Sequence, residues 1–97
     1  MDKILNYKCT KHFEERIKER GLEKFLISLC LTKGKEQKEK KKRLYILKKE
    51  KIIDAIKQGY INASDYIGLD TLTIVVKSNL LITAYARYSD LGIGANL

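Results

Sequence analysis

The sequence predicts an α+β fold, with N-terminal helices packed on a small antiparallel sheet that ends in a C-terminal β-hairpin. Apolar residues recur at helical spacing through residues 11–31, the last third of the chain switches to a two-residue period, and Ser78-Asn79 separates two strand-like runs at hairpin distance. The chain has 97 residues, 44% of them hydrophobic, which supplies one core and not two. A single domain over residues 1–97 follows.

Thr10 is placed to cap a helix over Lys11 to Arg20, where Phe13 and Ile17 recur at i and i+4 and Gly21 marks the stop. Glu14 and Glu15 put negative charge in its first turn, which suits the positive end of the helix dipole. Leu22 to Leu31 reads as a second helix, from Phe25, Leu26, Leu29 and Cys30, with Gly34 ending it. Residues 33–43 (KGKEQKEKKKR) contain no apolar side chain, so they are expected to form a solvated basic loop or arm. Arg43 to Leu47 has the β-branched and aromatic character of a strand.

Ile52, Ile53, Ile56 and Tyr60 fall at helical spacing and predict a third helix, with a strand over Lys51 to Ala55 as its competitor. Thr71 to Lys77 and Leu80 to Tyr88 then form the hairpin. Strict alternation sorts Leu80, Ile82, Ala84, Ala86 and Tyr88 onto a core face and Leu81, Thr83, Tyr85 and Arg87 onto the opposite one. Residues 91–97 are expected to be a loose tail.

Charge points to an anionic partner. Twenty Lys and Arg stand against 12 Asp and Glu, a net charge of +8. Residues 33–51 hold 10 basic and 3 acidic residues, so one short stretch carries nearly all of the excess. The two cysteines, Cys9 and Cys30, and the single histidine, His12, are too few for a structural zinc or iron-sulfur site. No metal or cofactor is expected. No apolar run approaches the ~20 residues that cross a bilayer, so no membrane partner is expected and a cytoplasmic location is.

Three groups of residues are candidates for chemistry. His12, Arg16 and Arg20 recur every four residues along the first helix, an anion-binding row with one group that titrates near neutral pH. The same spacing also suits a solvated face in which the arginines pair with Glu15, Glu19 and Glu23. Thr83, Tyr85 and Arg87 share the polar side of the last strand, where a guanidinium, a phenol and a hydroxyl suit a phosphodiester. An ordinary exposed sheet face is the alternative. Lys38, Lys40, Lys41, Lys42 and Arg43, with Arg20, are candidate nucleic-acid contacts, because lysine-rich tracts bind phosphate backbones without reading bases. Plain solubility accounts for them equally well.

The order H-x-x-E-R-x-x-x-R-G (His12, Glu15, Arg16, Arg20, Gly21), second helix, then Thr73-Ile74-Val75-Val76 and Ile82-Thr83-Ala84-Tyr85 resembles the small ribonuclease toxins of the RelE/colicin/barnase-like superfamily. The resemblance covers about residues 12–31 and 69–88 and leaves out the lysine tract. It implies a helical layer on an antiparallel sheet, RNA as substrate, and metal-independent cleavage leaving a 2′,3′-cyclic phosphate. It further implies His12 as general acid or base, Arg16 and Arg87 on phosphate, Thr83 and Tyr85 lining the site, and a cognate inhibitor protein as partner. The alternative function is a non-catalytic nucleic-acid-binding module, such as a phage-encoded inhibitor or regulator, that acts through its lysine-rich tract.

Overall fold

A computed structural model describes residues 3–66 and 68–89; the tail at 91–97 lies outside the described residues. The chain is a mixed α/β globule in which three helices cover one side of a six-stranded sheet. In chain order the elements are β1 (Lys3–Ile4), β2 (Tyr7–Cys9), α1 (Lys11–Glu19), α2 (Lys24–Lys33), β3 (Lys35–Lys38), β4 (Arg43–Lys48), α3 (Lys49–Lys57), a 3-10 turn (Ala63–Tyr66), β5 (Leu69–Lys77) and β6 (Leu80–Tyr88). Across the sheet the order is β1-β2-β6-β5-β4-β3.

The sheet is not wholly antiparallel. Cys9 pairs with Leu81 and Lys8 with Leu80 in parallel register, so β2 runs alongside β6. Both β1 and β2 are too short to show a two-residue period, which is why the sequence does not announce them. Their pairing is fixed instead by a hairpin in which Leu5 takes a left-handed φ of 56°.

The expected hairpin forms through β5 and β6, with Ser78 at a φ of 55° supplying the turn. Its alternation holds only in part. Val75 pairs with Thr83 and Val76 with Leu81, which leaves Ile82 as an extra residue in β6. That bulge shifts the phase of the strand. Leu81, expected outside, is fully buried against the core, while Leu80 and Ile82, expected inside, stay half-exposed. Beyond the bulge Ala84 and Ala86 face the core as expected.

The basic segment is likewise not a free arm. Residues 35–38 form β3, paired antiparallel to β4 from Lys35↔Ile46 to Lys38↔Arg43, and only residues 39–42 turn. All four β3 residues are exposed. An edge strand needs no apolar face to exist, since its backbone bonds to β4 hold it. Its lysines keep a second chain from adding to the open edge.

Inward-facing residues of adjacent strands form rows: Leu47–Leu72–Ala86, Tyr45–Ile74–Ala84, and Arg43–Val76–Leu81–Cys9. Onto these rows the helices deliver Phe13, Leu26, Ile27, Cys30, Leu31, Ile52 and Ala55. α1 packs on β6, where two alanines leave room for it, and α2 and α3 pack on β4 and β5. α2 also touches β1, three strands away from β5, so the sheet curls around it. The curl brings Tyr7 of β2 near Tyr45 of β4, and interaction with the Tyr7 phenol, followed by burial, raises the Tyr45 pKa. No helix among the described residues is long and apolar enough to cross a membrane.

The caps explain the helix ends. The Thr10 Oγ1 accepts from the Phe13 amide at 3.1 Å and donates to the Leu81 carbonyl at 2.9 Å, so one side chain starts α1 and ties it to β6. α2 begins two residues later than the spacing predicts. Its N-cap Glu23 makes no side-chain cap of its own; instead the Tyr66 hydroxyl accepts from the Glu23 amide at 3.1 Å and donates to the Glu23 carboxylate at 2.9 Å. At the other end, Gly34 is required by close approach. A Cβ there would meet the Cys30 and Ile46 carbonyls, the first at 2.3 Å.

Burial also makes two acids weak. The Cys30 thiol donates to the Tyr45 carbonyl at 3.2 Å, and desolvation pushes its pKa from 9.0 up to about 12, against a partial offset from backbone hydrogen bonds at Leu47 and Ile74. Desolvation likewise raises the Tyr66 phenol to about 12, with the Glu23 carboxylate adding to the shift. The folded state therefore holds these protons more tightly than the unfolded chain. The stability that these two protons contribute is fully present below pH 9, and is lost as pH rises from about 9 towards 12. Urea midpoints measured from pH 8 to 11 are expected to decline, and Tyr66→Phe to flatten the upper part of that decline. A midpoint constant across the range contradicts the assignment.

Candidate nucleic-acid interface

The first candidate row lies on α1. His12 is exposed and Arg20, at the C-cap, is exposed too, its backbone N–H donating to the Arg16 carbonyl. Arg16 is half-buried. Its terminal nitrogen sits 4.0 Å from Glu19, while its Nε is buried with no hydrogen-bond partner among the described residues. The expected solvated pairing is thus only partly realised, because Glu23 is committed to Tyr66.

The second candidate set lies on the opposite side of the sheet from the core. Register places three outward rows there: Gln37–Leu44–Val75–Thr83, Lys35–Ile46–Thr73–Tyr85, and Lys48–Thr71–Arg87. Thr83, Tyr85 and Arg87 therefore do share a face, while Leu81 has left it at the bulge. The helices' buried residues join the inner cluster; Val75, at 7% exposure, does not belong to it. Tyr85 is 55% exposed, and Leu44, Ile46, Thr71 and Thr73 are half-exposed beside it. The Thr83 hydroxyl is buried with no hydrogen-bond partner among the described residues.

These rows add residues that the sequence did not single out. Lys35, Lys48, Thr71 and Thr73 join Tyr85 and Arg87 only through strand pairing, and no local motif marks them. The three rows offer three cations, the half-exposed Thr71 and Thr73, an aliphatic floor and one exposed phenol ring, while the Thr83 hydroxyl is buried beneath them. They carry no carboxylate. Such a surface attracts anions, and its aromatic ring offers a planar group something to stack on.

His12 and Arg16 are not joined to that face by any hydrogen bond or ion pair among the described residues. α1 packs on the core side of β6, so the strand lies between the two sets and they do not form one constellation.

The lysine tract forms a third grouping at the end of the sheet where the β3–β4 and β5–β6 turns project. Lys38, Lys40, Lys41 and Lys42 are exposed and Arg43 half-buried. Lys42 lies 3.6 Å from Glu39, Arg43 lies 4.0 Å from Glu36, and Arg43 donates to the Ser78 carbonyl at 2.8 Å. Comparison with known proteins adds no family: no protein-family model, curated protein or solved structure matches this chain.

Proposed function

We propose that this protein binds RNA along the open face of its sheet. The supporting observation is the set of outward rows, in which Lys35, Lys48 and Arg87 accompany Tyr85, Thr71 and Thr73 with no carboxylate in those rows. Arginine and lysine neutralise phosphates, the phenol ring stacks on an unpaired base, and hydroxyls take up sugar and phosphate oxygens. The test is titration of a fluorescent single-stranded RNA between 50 and 200 mM salt, as a general range in which phosphate contacts are felt. Affinity that falls steeply with salt is expected; no binding at the lowest salt sinks the reading.

A second reading rests on the resemblance of the sequence to ribonuclease toxins and on the exposed His12 beside the half-buried Arg16 of α1. There the protein is a metal-independent RNA endonuclease of toxin type, held in check by a cognate inhibitor protein. His12 takes the proton of a ribose 2′-hydroxyl as its oxygen attacks the adjacent phosphorus. Arg16, one turn along the same helix, neutralises the charge that builds on the phosphate, the 5′-oxygen leaves with a proton taken from solvent, and a 2′,3′-cyclic phosphate remains, while Arg87 on the far face of the sheet stays outside this step. Total RNA incubated in EDTA should be cut, and His12→Ala should slow cutting by about 100-fold or more. Undiminished cutting by that variant removes His12 from the chemistry, and intact RNA with the unmodified protein leaves binding as the function.

A further inference from the structure

We propose that the cleft between the β3–β4 and β5–β6 turns is a binding site for a compact polyphosphate group, as carried by a 5′-triphosphorylated RNA end. The cleft has a volume of about 400 Å³ and is lined by Lys38, Glu39, Lys40, Lys41, Lys42, Arg43, Val76 and Ser78. Five cations meet one carboxylate in that space. Such crowding is unfavourable while the cleft holds only water, because like charges a few ångströms apart repel even when partly solvated. A dense anion relieves it. Backbone phosphodiesters do not match the site, because each carries one charge and successive ones are spread along the strand. A triphosphate concentrates several charges in one group, close to the excess that the cleft presents.

The site is also built rather than a loose array of surface lysines. Arg43 bridges the two turns through its 2.8 Å bond to the Ser78 carbonyl, and Glu39 and Lys42 close the β3–β4 turn by a 2.9 Å backbone bond and a 3.6 Å ion pair. Lys38, Lys40 and Lys41 have no ion pair among the described residues and are left for a ligand. The cleft lies at the end of the sheet, where Arg43 and Val76 belong to the inward-facing row next to the first outward row, so it is set apart from the Tyr85 face.

The RNA part of this proposal rests on the reading of that face, and the phosphate part does not. The experiment measures binding of one RNA sequence bearing a 5′-triphosphate, a 5′-monophosphate or a 5′-hydroxyl, and of inorganic tripolyphosphate alone, to the full chain and to its Lys40→Gln/Lys41→Gln variant. Both substitutions lie in an exposed turn, and a thermal melt checks that the variant is folded. The 5′-triphosphate RNA is expected to bind about tenfold or more tightly than the 5′-hydroxyl form, with the difference lost in the variant and tripolyphosphate competing for the site. Tripolyphosphate binding that depends on the lysines, with no RNA binding at all, supports the cleft and overturns the open-face reading. Equal affinity for all three ends, or a uniform loss of affinity for all of them in the variant, overturns the proposal.

Discussion

Phe13→Ala is expected to lower the free energy of unfolding by about 3–5 kcal/mol, the cost of removing a large ring from a packed interior and leaving a void. Phe13 has no exposed surface, and it is the buried residue through which α1 meets the core next to β6. Domains of this size have only about 5–15 kcal/mol in hand. A large share of the stability is therefore lost, and the variant should melt many degrees lower. Phe13→Leu keeps most of the volume and should recover much of the loss. Urea titration followed by circular dichroism reads both, with an unchanged slope showing that the unfolded state is the same. A Phe13→Ala midpoint close to that of the unmodified protein would mean that α1 is not seated as described.

Tyr85→Ala should weaken RNA binding by about 1–3 kcal/mol, roughly 5- to 150-fold, if one base stacks on the ring. Tyr85 is 55% exposed, so the substitution should leave the melting curve nearly unchanged. Tyr85→Phe separates two roles: it keeps the stacking surface and removes the hydroxyl. Retained affinity assigns the ring to stacking, and affinity lost with the hydroxyl assigns it to a polar contact. Arg87→Ala should act differently, reducing the slope of log affinity against log salt by roughly 0.7 for a single strand. An alanine series with no effect at Tyr85 and Arg87, alongside intact binding, would place the RNA elsewhere on the molecule.

Elements set by local physics were legible in the sequence. Thr10 and Gly21 bound α1, the spacing of Ile52 and Ile56 marks α3, and Ser78-Asn79 turns the hairpin. Elements set by distant pairing were not. The run RLYIL reads as a strand on its own, but nothing within KEQK says that its backbone completes a ladder with that run. The bulge at Ile82 is similar: alternation alone assigns Leu81 outward, and only the register against Val75 and Val76 turns it inward. For the candidate site, Thr83, Tyr85 and Arg87 were visible because they lie on one strand. Lys35 and Lys48 were invisible because what makes them neighbours of Tyr85 and Arg87 is the order of the strands.

The parallel pairing of β2 with β6 bears on how the molecule comes together. The Thr10 hydroxyl that starts α1 bonds to a carbonyl 71 positions away, and β2 enters the main sheet beside Leu80 and Leu81, its end held by bonds from the Lys8 and Thr10 amides to the Asn79 and Leu81 carbonyls. An N-terminal piece ending before Leu80 lacks the strand that positions its own first ten residues. The second and last strands lie side by side, and the loop that must be gathered for that closure spans most of the chain's length. Contacts of such high sequence separation slow folding, because the entropy of closing the loop is lost before the contacts form. The seating of α1 through Thr10 and the docking of β2 on β6 therefore depend on one another across most of the chain's length.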